Sequence, residues 1–296
     1  MAITRVTQHM ISQRSLSSLQ TNLSRMAKLQ EQLSSGRTLN RPSDSVSGTA
    51  SAMRLRDKLA TVQQYQDNAQ DGLSWLGTTD TALTTISDAV REARDVGLQG
   101  ANGGSLDQAS RDALASQIDG LREQLVSEAN TSYLGRPVFG GITSGSTAYD
   151  ASGTYVGQDG AVQRTVGDGA KVRVDTDATS VFGATGSSLF DHLSALSSAL
   201  RAGDIPAVTA ATATIGTDAD RIAVAHADVG IRYARIEQAQ TGASDAELTT
   251  KTALSDVENV DLPKVTVDLQ MQQVAYQASL AATARVVQPS LLDFLR

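Results

Sequence analysis

The sequence predicts a mainly α-helical fold: a long antiparallel helical bundle or coiled coil formed by the N- and C-terminal regions, with a small antiparallel β domain inserted between them. Leucine-rich stripes with alternating three- and four-residue spacing run through most of the chain. Only 4% of the residues are aromatic, which suits long helices that bury narrow stripes. Glycine concentrates in one central segment, where 11 of the 24 glycines lie.

The first predicted helix carries a heptad pattern that is typical of a coiled-coil seam. Gln30 shares the stripe with apolar residues, which are Leu16, Leu19, Leu23, Met26 and Leu33. Gly36 is a suitable residue to end this helix, because glycine readily adopts the left-handed conformation found there. An irregular connector is expected over residues 37–44, and Ser43 or Asp44 should cap the next helix.

The second predicted helix runs from about Ser45 to Val96, and a loop from Gly97 to Gly104 should follow it. Ser105 and Gln108 have the spacing of a capping box, which predicts the start of a third helix. The apolar stripe of the third helix is Leu114, Ile118, Leu121 and Leu125.

The segment from Tyr133 to Gly186 changes in composition and predicts the inserted β domain. It holds five of the eleven aromatic residues. Apolar and polar residues alternate around Val172 and Val174, which is the period of a strand. Gly167–Gly169 is a tight-turn signal between two such strands.

A short helix around Leu189–Leu200 and a long helix from about Asp204 should follow the insert. His226 lies on the apolar stripe of the long helix, where a polar residue commonly sets register. Pro263 interrupts the helical pattern. The last predicted helix, about Lys264 to Phe294, has no charged residue from Leu269 to Ala284, which indicates a helix surrounded by protein in an assembly.

These patterns divide the chain into five predicted regions. They are an N-terminal assembly helix (1–40), the first half of a helical core (41–132), the β-rich insert (133–186), the second half of the core (187–262) and a C-terminal assembly helix (263–296). The predicted subunit-assembly residues lie on the stripes of the two terminal helices and are Leu16, Leu19, Leu23, Met26, Leu33, Val265, Leu269, Tyr276, Leu280, Val287, Leu291 and Leu292.

Composition excludes several classes of function. The net charge of −7 argues against nucleic acid as a partner, because phosphate binding needs a basic face. No apolar run is long enough for a membrane span. The chain has no cysteine, its three histidines lack zinc-site spacing, and its glycine pairs are not phosphate loops. We therefore expect no cofactor, no metal and no catalytic residues.

Five local strings resemble the bacterial flagellin superfamily and, within it, the hook–filament junction proteins. They are Leu29–Arg37, Asn40–Asp44, Gly135–Gly141, Asp268–Leu280 and Leu291–Leu295. Their order and their distances from the two chain ends carry the resemblance, and Asn40–Asp44 with Gly135–Gly141 favour the junction branch.

The resemblance implies a structural subunit of the bacterial flagellum and not an enzyme. Such a subunit joins the hook, through a neighbouring hook-associated protein, to the flagellin filament. It would form a homo-oligomer in a ring or helical layer. Export through the flagellar type III channel, without a cleaved signal peptide and with an export chaperone on the C-terminal helix, would place it outside the cell.

Two other functions stay open at this point. One is filament flagellin itself, a bulk polymer in place of a one-layer adaptor. The other is a secreted enzyme or adhesin on a flagellin-like frame, with its activity in residues 133–186. That insert is short for an active site with its own core, and it contains no histidine.

Overall fold

A computed structural model describes residues 2–102 and 106–287, and it confirms the predicted fold class. The described chain contains seven helices: α1 (Ala2–Ser35), α2 (Val46–Asn102), α3 (Gln108–Ala129), α4 (Ala178–Phe182), α5 (Leu189–Ala202), α6 (Ile205–Glu258) and α7 (Leu262–Val287). Its six short strands are β1 (Ser132–Tyr133), β2 (Arg136–Pro137), β3 (Gln163–Gly167), β4 (Ala170–Arg173), β5 (Gly183–Ala184) and β6 (Ser187–Ser188).

The chain divides into two compact units. One is made by the two chain ends, up to Ala60 and from Leu248 onward. The other is Thr61–Glu247. The five regional boundaries proposed from the sequence stay predictions.

The helices of the Thr61–Glu247 unit pack as antiparallel pairs. Gln70 of α2 receives a hydrogen bond from Gln240 of α6, whereas Asp80, further along α2, pairs with His226, which lies earlier in α6. Residue numbers therefore rise along α2 while those of their partners fall along α6, so the two helices are antiparallel. α3 and α5 also pack as an antiparallel pair, in which the Ser197 hydroxyl of α5 donates to the Ala115 carbonyl of α3.

Three antiparallel strand pairs form the β-rich part, β1–β2, β3–β4 and β5–β6. Leu134 and Gly135, between β1 and β2, both have positive φ, at 49° and 79°. Two such residues make the twist of a tight hairpin turn, and the turn needs glycine at one position. β3 and β4 form the hairpin predicted around Gly167–Gly169, with Gln163 opposite Arg173.

Aromatic residues of the β-rich part are buried in the same core as the helices. Phe182 packs against Phe139, Tyr149 and Phe190, with ring centroids 5.0–5.3 Å apart. Phe190 belongs to α5, so the β-rich part and the helices share apolar surface. Burial raises the pKa of the Tyr149 hydroxyl far above its ordinary value, so Tyr149 stays neutral in this core.

Three local predictions need correction. The predicted loop Gly97–Gly104 is helical as far as Asn102, because Gly97 and Gly100 allow α2 to approach Thr212 and Leu200 closely. α3 is capped by Asp107, whose carboxylate accepts the Ser110 N–H at 2.9 Å, whereas Ser105 lies outside the described residues.

α2 is capped by Ser45 and not by Ser43 or Asp44. The Ser45 hydroxyl accepts the Gly48 N–H at 3.0 Å, the geometry of an N-cap. Pro263 interrupts the helical pattern as predicted and lies in the first turn of α7, where its missing N–H costs nothing.

Candidate subunit-assembly interface

The two terminal helices, α1 and α7, pack against each other along one face. The Asn22 and Gln272 side chains lie at the middle of the contact, where the Gln272 amide donates to the Asn22 side-chain oxygen at 3.1 Å. The Asn22 amide donates to the Ser279 hydroxyl at 3.4 Å. Polar pairs inside a helix–helix contact specify the register of the two helices. The predicted stripe of α1 runs through the neighbouring Leu23 and therefore leaves Asn22 out.

The predicted assembly residues fall into two groups. Those that are buried or partly buried are Leu19, Met26, Val265, Leu269 and Tyr276. Those that are exposed are Leu16, Leu23, Leu33 and Leu280. The side-chain description of α7 stops before Val287, and Leu291 and Leu292 lie outside the described residues. One seam therefore pairs α1 with α7, and the other leucines stay exposed in the single chain.

A second apolar stripe on α7 was not predicted. Val267, Met271 and Val274 follow each other at spacings of four and three, so they lie on one face of the helix. All three are largely exposed. Met271 and Val274 lie in the stretch from Leu269 to Ala284, which has no charged residue, so an apolar and uncharged helix surface is exposed to water there.

A groove of about 410 Å³ lies between α1 and α7. Leu29 and Met271 line it together with the charged heads of Arg25, Lys28 and Asp268. An apolar floor with charged edges is the usual composition of a protein–protein contact surface. Met271 belongs both to the groove and to the exposed stripe, so the two form one candidate contact surface.

The connector between α1 and α2 is folded around Asp44. Its carboxylate accepts the backbone N–H groups of Asn40 at 3.1 Å and Arg41 at 2.8 Å, and it pairs with the Lys28 ammonium at 2.9 Å. The Lys28 hydrogen bond and the Arg41 N–H hold the pKa of the Asp44 carboxyl below its ordinary value. A carboxylate that accepts several donors stabilises a tight turn, which explains an aspartate at this position.

The connector is also joined to the chain between α6 and α7. The Thr38 N–H donates to the Glu258 carbonyl at 2.7 Å, and the Val260 N–H donates to the Gly36 carbonyl at 3.1 Å. The buried Glu258 carboxylate pairs with Arg56 at 2.6 Å. The α1–α2 connector and the α6–α7 connector therefore lie side by side, and α1 and α7 begin their contact from this point.

The remaining histidine and carboxylate side chains are the candidates for a metal site. No group of histidine, cysteine and carboxylate side chains that could hold a metal ion occurs among the described residues. His226 pairs with Asp80 at 2.7 Å and links α6 to α2. No helix in the described part of the chain is long and apolar enough to span a membrane.

Family models match both helical regions. The bacterial flagellin N-terminal helical region matches residues 6–144, and the bacterial flagellin C-terminal helical region matches residues 212–295. The two matches together cover about three-quarters of the chain. The chain belongs to the bacterial flagellin family. Both flagellin matches leave out residues 145–211, which include β3, β4 and α5.

Relatives within the flagellin family align over almost their whole length. The flagellar hook-associated protein 3 of Salmonella typhimurium is 24% identical, and the alignment covers 93% of this chain and 94% of the relative. The flagellar filament 33 kDa core protein of Treponema phagedenis is 27% identical, with 97% of both chains covered. A solved structure of a flagellar hook-associated protein from Vibrio parahaemolyticus shares the fold, with a TM-score of 0.67 and 21% identity over 73% of this chain and all of the other.

Proposed function

We propose that this protein is a structural subunit of the bacterial flagellum, an adaptor that joins the hook to the flagellin filament. The observation that carries the proposal is the α1–α7 pair, which buries one face and leaves apolar side chains of both helices exposed. A protein with this exposed apolar surface is suited to assembly with other subunits and not to remaining a monomer.

The energetics of the α1–α7 pair favour assembly with neighbours. Two helices side by side bury only one stripe each, and isolated helices are marginal in water. Each apolar side chain that becomes fully buried contributes about 1.5–3 kcal/mol. Leu16 and Leu23 of α1, with Met271 and Val274 of α7, are free to supply such burial against neighbouring copies. Head-to-tail contacts of this kind build a ring or a helical layer from a single kind of subunit.

The proposed partners follow from the adaptor role. They are further copies of this chain in one layer, a neighbouring hook-associated protein on the hook side and flagellin on the filament side. We also propose that an export chaperone covers the apolar face of α7 before the chain passes through the flagellar type III channel to its place outside the cell. A helix with the exposed stripe Val267, Met271 and Val274 and no charged residue from Leu269 to Ala284 would otherwise aggregate.

A second candidate is the filament subunit itself. The observation in its favour is that a filament core protein aligns as well as the hook-associated protein does, at 27% and 24% identity. The Asn40–Asp44 connector and the Gly135–Gly141 string, on which the resemblance to junction proteins rests, favour the adaptor.

Deletion of the gene tests the adaptor against the filament subunit. Cells that lack an adaptor should complete their hooks and then release flagellin monomers into the medium, because no layer is present on which the filament can grow. Cells that lack the filament subunit should release none. A copy of the wild-type gene on a plasmid serves as the control. Filaments of normal length on the deletion strain would exclude the adaptor role.

A further inference from the structure

Three side chains from three elements form a hydrogen-bonded chain at the edge of the β-rich part. The Ser187 hydroxyl on β6 lies 3.3 Å from Nε2 of His192 on α5. Nδ1 of the same imidazole lies 2.7 Å from Oδ2 of Asp218 on α6. The order is hydroxyl, imidazole, carboxylate, which is the arrangement of an activated nucleophile, its general base and the group that orients the base.

The chemistry of the three groups determines which atom holds each proton. Asp218 is only 1% exposed, and an ionised carboxylate can only accept. Nδ1 of neutral His192 must therefore carry the proton and donate it to Asp218. Nε2 is then unprotonated and accepts from the Ser187 hydroxyl. This is the tautomer that a general base needs in order to take the serine proton.

A fixed positive charge lies beside the same strand. The Arg221 guanidinium is held by the second oxygen of Asp218 and by the carbonyl of Val181. A Cβ atom on Gly183 would lie 2.9 Å from Nη1 of Arg221 and 2.8 Å from the carbonyl oxygen of Ser187, so both groups border this glycine. By holding the second oxygen of Asp218, Arg221 fixes the position of the carboxylate that orients His192.

We propose that Ser187 is a nucleophilic serine, with His192 as its general base and Asp218 as the positioning residue, that accepts small acyl groups from activated esters or thioesters. The serine is exposed, whereas the carboxylate behind it is buried, so an acyl donor reaches the hydroxyl from solvent. This makes the site one of covalent modification, built from residues outside α1 and α7.

The proposed step balances as an acyl transfer. Oγ of Ser187 attacks the carbonyl carbon of the donor while Nε2 of His192 takes the hydroxyl proton. The bond between the carbonyl carbon and the leaving oxygen or sulfur breaks, and the leaving group departs with the electron pair and the proton from His192. The products are an acyl ester on Ser187 and the free alcohol or thiol.

Two partial copies of this arrangement in the same chain serve as controls. The Ser152 hydroxyl donates to the Asp150 carboxylate at 2.6 Å, which is a serine beside a carboxylate. His226 pairs with Asp80 at 2.7 Å, which is a histidine oriented by a carboxylate on the helical face. Neither pair joins a hydroxyl to an imidazole, so neither should show the reactivity of Ser187.

The test is acetylation of the purified full-length protein by p-nitrophenyl acetate, followed site by site with mass spectrometry. Ser187 should acetylate much faster than Ser152. His192→Gln should slow acetylation of Ser187 by about 100-fold, which is the usual contribution of a general base, and His226→Gln should leave it unchanged. Equal rates at Ser187 and Ser152 in the wild-type protein would overturn the proposal, and this comparison needs no variant.

Two further measurements separate a chemical role from a structural one. Imidazole added to His192→Ala should restore acetylation of Ser187, and an unchanged rate over a range of imidazole concentration would contradict the role of His192 as base. Nitrogen NMR of His192 should show the proton on Nδ1 in the wild-type protein and its move to Nε2 in Asp218→Asn. A proton on Nε2 in the wild-type protein would also overturn the proposal.

Discussion

Replacing the exposed stripe of α7 should abolish assembly and leave the monomer intact. The perturbation is the pair Met271→Gln and Val274→Gln, which leaves the charge of α7 unchanged and keeps its glutamine-rich character. Met271 is 59% exposed and Val274 is 65% exposed, so the single chain loses little packing when they change. Thermal unfolding of the purified protein should therefore shift by no more than about 0.5 kcal/mol.

The expected loss in assembly follows from the same exposed fractions. Full burial of one such side chain contributes about 1.5–3 kcal/mol, and somewhat more than half of each side chain is left to bury. The two together should weaken each contact with a neighbour by about 2–4 kcal/mol, or roughly 30- to 800-fold in the dissociation constant.

The assay is complementation of the deletion strain, with filaments per hook counted by electron microscopy and the protein measured in the medium. The double variant should be exported and found in the medium, but hooks should lack filaments. Val265→Gln is the matched control, because Val265 is only 7% exposed and is therefore already buried in the single chain. It should increase hydrogen exchange along α7 in the purified monomer. Normal filaments with the double variant would refute the assignment of this face to assembly.

Three further predictions concern the folded core. Gly141→Ala should cost about 2 kcal/mol, because Gly141 has φ of 59° and an added Cβ would lie 2.3 Å from the Gln158 carbonyl oxygen; urea unfolding measures this, and a loss below about 0.5 kcal/mol would contradict the reasoning. Phe182→Ala should cost about 4 kcal/mol, since the ring is fully buried among three other rings, and a much smaller loss would mean that the core collapses around it. Acid should weaken the start of α5. The Ser188 N–H and hydroxyl hold the pKa of the Asp191 carboxyl below its ordinary value. The resulting stabilisation is present when the pH is above the ordinary pKa and is lost as the pH falls through the lowered pKa. Asp191→Asn should flatten that acid dependence in thermal unfolding, and an unchanged pH profile would argue against it.

Helical content, the long stripes and the β3–β4 hairpin could all be predicted from the sequence. These features depend on local spacing and turn chemistry, which the chain carries in itself. The end of α2 could not be predicted, because two glycines that usually mark a loop are used here for close approach to Thr212 and Leu200. A local signal cannot distinguish a glycine that ends a helix from one that lets another element come near.

The candidate interface was predicted only in part. Leu19 and Met26 are shared by two overlapping heptad frames of α1. One frame also contains Leu16 and Leu23, and the other contains Asn22 and Leu29. The leucine-rich frame was chosen from the sequence, whereas the structure packs the frame that contains Asn22 against α7. Only the partner helix decides between two frames that differ by one residue, because hydrogen bonds between Asn22 and α7 exist only once both helices are in place.

The sequence by itself determined the helical class, the family and the position of the two terminal helices. Periodicity and short sequence strings can be read from the chain without knowing which element packs against which. The tertiary structure decided which apolar residues are satisfied within the chain and which stay exposed, since burial depends on what lies across the contact. It also decided that Ser187, His192 and Asp218 meet. They lie on three elements, and Asp218 is 26 residues beyond His192, so no spacing rule on one helix or strand could join them.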